Sequence, residues 1–205
     1  MRRLSILLAV MGMALVAIAG VALADTVDCF SGRACIGTNG PDILDGTSSY
    51  DEMDARQGND VMYGHERYDV MWGDSREAHD TSTDGNDRVG GGQNYDEIYG
   101  YGGDDKLLGR SGGDFIFAEE SSENEGEDVV KGNEGNDWIL ARDGAKDTIG
   151  CGTGKHDTVF FDGSGIDTVS DSCERRRGGV YSASTSASGA TGEVSTKELE
   201  TLRAR

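Results

Sequence analysis

The chain has 205 residues, of which 32 are glycine, one is proline and four are cysteine, and its formal net charge is −19. The glycines do not recur every third residue and proline is nearly absent, which excludes a collagen helix, while Ile, Val, Leu, Trp and Tyr spread regularly between the glycines exclude a plain flexible linker. So acidic a surface repels phosphate rather than neutralising it, which excludes nucleic acid as a partner.

Residues 1–24 read as a secretory signal peptide. Arg2 and Arg3 supply a positive start, an apolar run follows, and Ala22-Leu23-Ala24 is a small-x-small cleavage site, so the mature chain is expected to begin at Asp25. The rest of a twin-arginine pattern is missing, so general secretion is the expected route, and no later segment is expected to insert into a membrane. Export bears on the cysteines, because four of them in an oxidising compartment favour two disulfides. Three connectivities exist; local pairing, Cys29 with Cys35 and Cys151 with Cys173, is preferred. The first pair falls in an N-terminal cap over residues 25–36. A zinc site would want histidine or cysteine neighbours at short spacing, and no histidine lies near Cys29 or Cys35.

From residue 37 the chain repeats with a period of nine. Successive blocks read GTNGPDILD, GTSSYDEMD, ARQGNDVMY and GHERYDVMW, then STDGNDRVG, GGQNYDEIY, GYGGDDKLL and GRSGGDFIF, then ENEGEDVVK and GNEGNDWIL. The sixth position is aspartate in every block: Asp42, Asp51, Asp60, Asp69, Asp87, Asp96, Asp105, Asp114, Asp128 and Asp137. The eighth is always apolar: Leu44, Met53, Met62, Met71, Val89, Ile98, Leu107, Ile116, Val130 and Ile139. One repeat cannot bury its eighth side chain alone, whereas a stack of repeats can.

In these residues the sequence resembles the RTX, or haemolysin-type, calcium-binding nonapeptide repeat, whose pattern is G-G-x-G-x-D-x-U-x. The resemblance covers roughly residues 37–170 and implies an all-β fold, a right-handed parallel β-roll in which successive turns alternate between two edges and ions bridge turns eighteen residues apart. It makes Ca2+ the expected cofactor and the ten sixth-position aspartates its expected ligands, with Asp42–Asp60, Asp51–Asp69, Asp87–Asp105 and Asp96–Asp114 as pairs and Asp128 and Asp137 continuing the two edges. The chemistry is consistent. Calcium wants six to eight oxygens at roughly 2.3–2.6 Å, and one turn with its carbonyls and a single carboxylate supplies about half of these. Glycines at positions one, two and four open backbone conformations closed to other residues.

Several stretches depart from the pattern. Residues 73–81 put Ala78 where aspartate belongs, so this turn is expected to lack an ion or loop out and to disturb edge parity beyond it. Residues 118–122 read as an inserted surface loop. From about residue 141 the spacing stretches, and Asp147, Asp157 and Asp167 are expected in weakly metallated or metal-free cap turns stapled by Cys151–Cys173, a bridge contributing about 3 kcal/mol on the chain-entropy model. The roll is expected to end at residue 173, followed over 174–205 by a disordered tail with a basic cluster and a Ser/Gly/Ala stretch. Within it, residues 195–202 have the pattern of one or two helical turns.

Other readings fit less well. Asp80-x-Ser82-x-Asp84-Gly85 imitates an EF-hand start, but the twelfth position is Gly91. No H-E-x-x-H or G-x-S-x-G occurs, His65, His79 and His156 read as solvated turn residues, and no room remains for a catalytic domain. A pore-forming toxin would need an apolar or amphipathic membrane segment. The expectation is therefore an exported, secreted, non-catalytic protein that folds on binding calcium. The alternative is a calcium-rigidified cell-surface adhesion or matrix module using Tyr63, Tyr68, Trp72, Tyr95, Tyr99 and Tyr101 as a contact face. Carbohydrate or ice binding would need a regular Thr or aromatic ladder, which the sequence does not display. One-step export does not follow from the resemblance, because the expected signal is N-terminal.

Overall fold

The computed structural model describes residues 24–30, 33–75, 84–118, 126–163 and 165–179. The signal peptide, His79 and residues 195–202 lie outside the described residues, as do Asp80 and Ser82 of the EF-hand imitation. All regular structure among the described residues is strand. Odd-numbered strands form one parallel sheet: β1 (Asp25–Asp28), β3 (Asp42–Asp45), β5 (Val61–His65), β7 (Arg88–Gln93), β9 (Lys106–Ser111), β11 (Val129–Glu134), β13 (Thr148–Thr153) and β15 (Thr168–Val169). Even-numbered strands form the other: β2 (Cys35–Ile36), β4 (Glu52–Asp54), β6 (Val70–Trp72), β8 (Glu97–Tyr99), β10 (Phe115–Phe117), β12 (Trp138–Ala141), β14 (Thr158–Asp162) and β16 (Arg175–Gly179). The chain alternates between the sheets at every turn, which is the parallel β-roll that the resemblance implies.

Register explains the core. Leu44, Met62, Val89, Leu107, Val130 and Ile149 are partners down the first sheet, and Met53, Met71, Ile98, Ile116, Ile139 and Val159 down the second. Each is at most 1% exposed. With strand side chains alternating between faces, the eighth position of each repeat points inward, so the large core side chains form two facing columns.

Disulfides close both ends. Cys29–Cys35 packs against the first core residues, with Cys35 in register with Met53, and Cys151–Cys173 lies in the same apolar cluster at the other end. Both pairings are the expected local ones. The far end differs from expectation, since the roll does not stop at residue 173. Strand β16 pairs with β14 and puts Arg176 in register with Val159, where a core residue would stand. The Arg176 guanidinium donates to the Ser170 and Cys173 carbonyls and to Asp171. Charged side chains on an edge strand discourage pairing with another chain. This use of an arginine is not visible in an apolar period.

Two insertions are absorbed without breaking the sheets. β5 pairs directly with β7 and β6 with β8 at a spacing of 27 residues, so this coil holds one nine-residue block more than its neighbours and edge parity shifts beyond it. Of the inserted loop expected at 118–122 only Ala118 is among the described residues, and it is fully buried in the core, where its N–H donates to the Leu140 carbonyl.

Candidate metal centre

The sixth-position aspartates form two columns, one along each edge of the roll, and each side chain is at most 2% exposed. A regular hydrogen-bond ladder builds the first column. The N–H of Asp42 donates to Asp60 Oδ1 (2.7 Å), Asp60 to Asp87 (2.8 Å), Asp87 to Asp105 (2.8 Å) and Asp105 to Asp128 (2.8 Å). The second column repeats it: Asp51 to Asp69 (2.8 Å), Asp69 to Asp96 (2.9 Å), Asp96 to Asp114 (3.0 Å) and Asp114 to Asp137 (2.9 Å). All four expected pairs are thus neighbours, and the columns close over the insertions with Asp60–Asp87, Asp69–Asp96, Asp105–Asp128 and Asp114–Asp137.

From Asp60 and Asp69 onward one oxygen of each ladder carboxylate is used in this way, whereas Oδ2 of the first two, Asp42 and Asp51, accepts from Thr38 and Thr47. Oδ2 of Asp60, Asp69, Asp87, Asp96, Asp105, Asp114 and Asp137 is buried without a hydrogen-bond partner. Buried polar atoms are ordinarily satisfied, so a column of orphaned carboxylate oxygens points to a positively charged ligand.

The turn glycines show where it would sit. A Cβ on Gly64 would lie 2.5 Å from both Asp69 Oδ2 and the Gly91 carbonyl oxygen, and one on Gly91 would lie 2.5 Å from Asp96 Oδ2 and 2.9 Å from the Gly109 carbonyl. Gly109 and Gly132 repeat the arrangement with Asp114 and Asp137. The first-position glycine therefore leaves a cradle where a carboxylate of one coil and a carbonyl of the next converge, an all-oxygen set of the type calcium takes. Its role differs from that of positions two and four, which need left-handed backbone, as at Gly58 (φ 123°) and Gly92 (φ 127°). Position two often lacks glycine here and still adopts that conformation, as at Arg56 (φ 75°) and Arg110 (φ 81°). The two edges also differ. The second has Gly46, Gly64, Gly91, Gly109 and Gly132 at position one, whereas the first substitutes the buried Ala55, Ala118 and Ala141 in three turns.

Burial is the main cause of a common electrostatic state, opposed by the ladder hydrogen bonds and reinforced by carboxylates along the column. Asp60 and Asp96 are pushed up to about 8, Asp69, Asp87 and Asp114 to about 7, and Asp137 to about 6. A cation beside such groups would favour their charged form.

The ladder also runs beyond the expected ten residues. The N–H of Asp128 donates to Asp147 Oδ1 (2.9 Å), Asp137 to Asp157 (2.8 Å), Asp147 to Asp167 (3.0 Å) and Asp157 to Glu174 Oε2 (2.9 Å). The stretched cap turns thus keep the column, because the extra residue is absorbed before the aspartate. Asp74 and Asp143 are buried beside the first column without belonging to the period, and no repeat-based reading finds them. His65 bonds Asp45 Oδ1 at 2.6 Å on the exposed surface, in keeping with a turn residue outside the columns.

The aromatic side chains correct one expectation. Tyr50, Tyr68 and Tyr95 form a continuous stack, with centroids 5.4 and 5.5 Å apart. Their sequence spacing is irregular, but the longer coil between β6 and β8 brings them into line. The rings face one another, so the ladder presents edges to solvent instead of the flat faces on which sugars stack. Trp72, Tyr99 and Tyr101 form a second stack, while Tyr63 lies on the opposite sheet, so the six aromatics do not share one face.

A family model described as the RTX calcium-binding nonapeptide repeat (4 copies) matches residues 36–71, 81–116 and 124–145. No curated protein and no solved structure matches the chain. The period, the two aspartate columns and the family match agree, and over residues 36–145 the chain belongs to the RTX calcium-binding nonapeptide-repeat family.

Proposed function

We propose that this is an exported, non-catalytic calcium-binding protein whose roll forms as its ions bind, with Asp42, Asp51, Asp60, Asp69, Asp87, Asp96, Asp105, Asp114, Asp128 and Asp137 as carboxylate ligands. The observation that carries this reading is the set of buried, unpartnered Oδ2 atoms along the two columns, of which those of Asp69, Asp96, Asp114 and Asp137 lie at a first-position glycine cradle. Between Asp25 and Cys173 there are 34 acidic side chains against 11 basic ones, and in a metal-free chain their repulsion opposes compaction. Ions neutralise the columns, so binding free energy becomes folding free energy. Extracellular calcium modules bind at about 10⁻⁴–10⁻³ M, which would keep the chain unfolded before export and folded after it. The two disulfides support an oxidising destination. Calorimetric titration tests the reading: several calcium ions should bind per chain while magnesium, which demands tighter octahedral geometry, does not compete. Absence of calcium binding would overturn it.

The exposed stack of Tyr50, Tyr68 and Tyr95 favours a second reading, in which the ion-stiffened roll presents an adhesion surface. Calcium-dependent retention on cells would support it, and free release into the medium would count against it.

A further inference from the structure

We infer that Asp128, Asp143 and Asp147 form a three-carboxylate calcium site near the C-terminal end of the roll, with Asp143 supplying a ligand from outside the repeat's aspartate position. The inference rests on the calcium-binding reading above and adds a site that the nonapeptide pattern does not contain. Asp128 precedes β11 and Asp147 precedes β13, its parallel neighbour, so these two belong to successive rungs of one edge. Asp143 follows β12 within the same turn as Asp147. One carboxylate oxygen from each of the three lies within 4.8 Å of the others, and the residues are 2%, 1% and 0% exposed in chain order.

Hydrogen bonds assign the remaining oxygens. Asp128 Oδ1 accepts from the Asp105 N–H, Asp147 Oδ1 from the Asp128 N–H and Asp143 Oδ1 from the Ala145 N–H (2.8 Å). Asp147 Oδ2 is buried without a hydrogen-bond partner. With Asp147 Oδ1 committed to the ladder, Oδ2 is the oxygen it has left for a ligand. This independent observation turns a cluster of acids into a candidate cation site.

The local sequence explains why it occurs here. Acidic residues stand at the third position of other turns, but Glu66 and Glu134 are exposed. In the turn of Asp143 one extra residue precedes the column aspartate, and Gly144 takes a left-handed φ of 106°. The longer turn carries the third-position carboxylate inward. Three carboxylates at this separation repel strongly unless a cation joins them. Because ligand charge tunes calcium affinity, this site is expected to fill before those with two carboxylates.

The test is calcium titration calorimetry on the full-length protein with Asp143→Asn, whose amide oxygen still accepts from the Ala145 N–H. The tightest calcium class should weaken at least tenfold while the remaining sites titrate as before, and Asp171→Asn, at an exposed acid on the same end, should change nothing. A second measurement needs no variant: crystals grown with calcium or soaked in terbium should give an anomalous peak between the three carboxylates. An unchanged tight class, or peaks along the ladders with none here, would overturn the inference and leave the calcium reading standing. Failure of the wild-type chain to bind calcium at all would overturn both.

Discussion

A buried polar group left without a partner costs about 1–3 kcal/mol, and more when it is charged, and nine ladder aspartates from Asp60 to Asp157 each bury an unpartnered Oδ2. Repetition of that cost is hard to reconcile with a roll built only for packing. The first-position glycines offer the cleanest probe, because their role is space. Gly64→Ala should weaken calcium binding at one site about tenfold, a loss near 1.4 kcal/mol, because its methyl would crowd Asp69 Oδ2 and the Gly91 carbonyl. Gly150→Ala, where a Cβ would meet nothing within 4 Å, should bind as wild type in the same calorimetric titration. The buried carboxyls also set a pH dependence. Their folded values of about 6 to 9 lie above the ordinary 3.8, so between about pH 4 and 9 the metal-free fold holds protons that the unfolded chain releases. Metal-free stability should therefore be greatest near pH 4 and fall as pH rises through that window. Calcium competes with those protons, so its binding midpoint should move to higher concentration on acidification. Circular dichroism across pH, with chelator and with calcium, checks both signs; a calcium midpoint unaffected by pH would contradict them.

At the scale of strands and turns, regular repetition made most of the roll legible in sequence. Every sixth-position aspartate entered a column and every eighth-position apolar residue entered the core, because a two-residue alternation in each strand and a fixed turn leave those positions one orientation. Information that does not repeat was harder to read. Asp143 turns inward only because its turn is one residue longer, Arg176 serves as a last rung through backbone pairing, and the Tyr50–Tyr68–Tyr95 stack exists because one coil is a whole block longer than the others. The disulfides belong to this scale too. Cys151–Cys173 joins β13 to the turn before β16, where few neighbours lie beyond. Replacing both cysteines with serine should cost about 3 kcal/mol in calcium-saturated thermal unfolding, with the loss expressed as earlier release of the last coils; an unchanged unfolding profile would show that the Arg176 rung suffices to close the end.

For the whole molecule, the core is only two side-chain columns thick, and repeats of this kind gain stability from neighbours instead of a central mass. So little apolar burial has to offset chain entropy while acidic side chains along both edges repel. Ions that join successive coils answer both problems, since each one neutralises carboxylates and ties neighbouring rungs together. On the proposed function the roll and its calcium form one cooperative system, with the disulfides fixing its ends. The most direct measurement is a calcium titration followed by far-UV circular dichroism at neutral pH, with magnesium as the control. The account predicts a cooperative gain of β signal with calcium and none with magnesium. A full β signal that persists under strong chelation at neutral pH would contradict it.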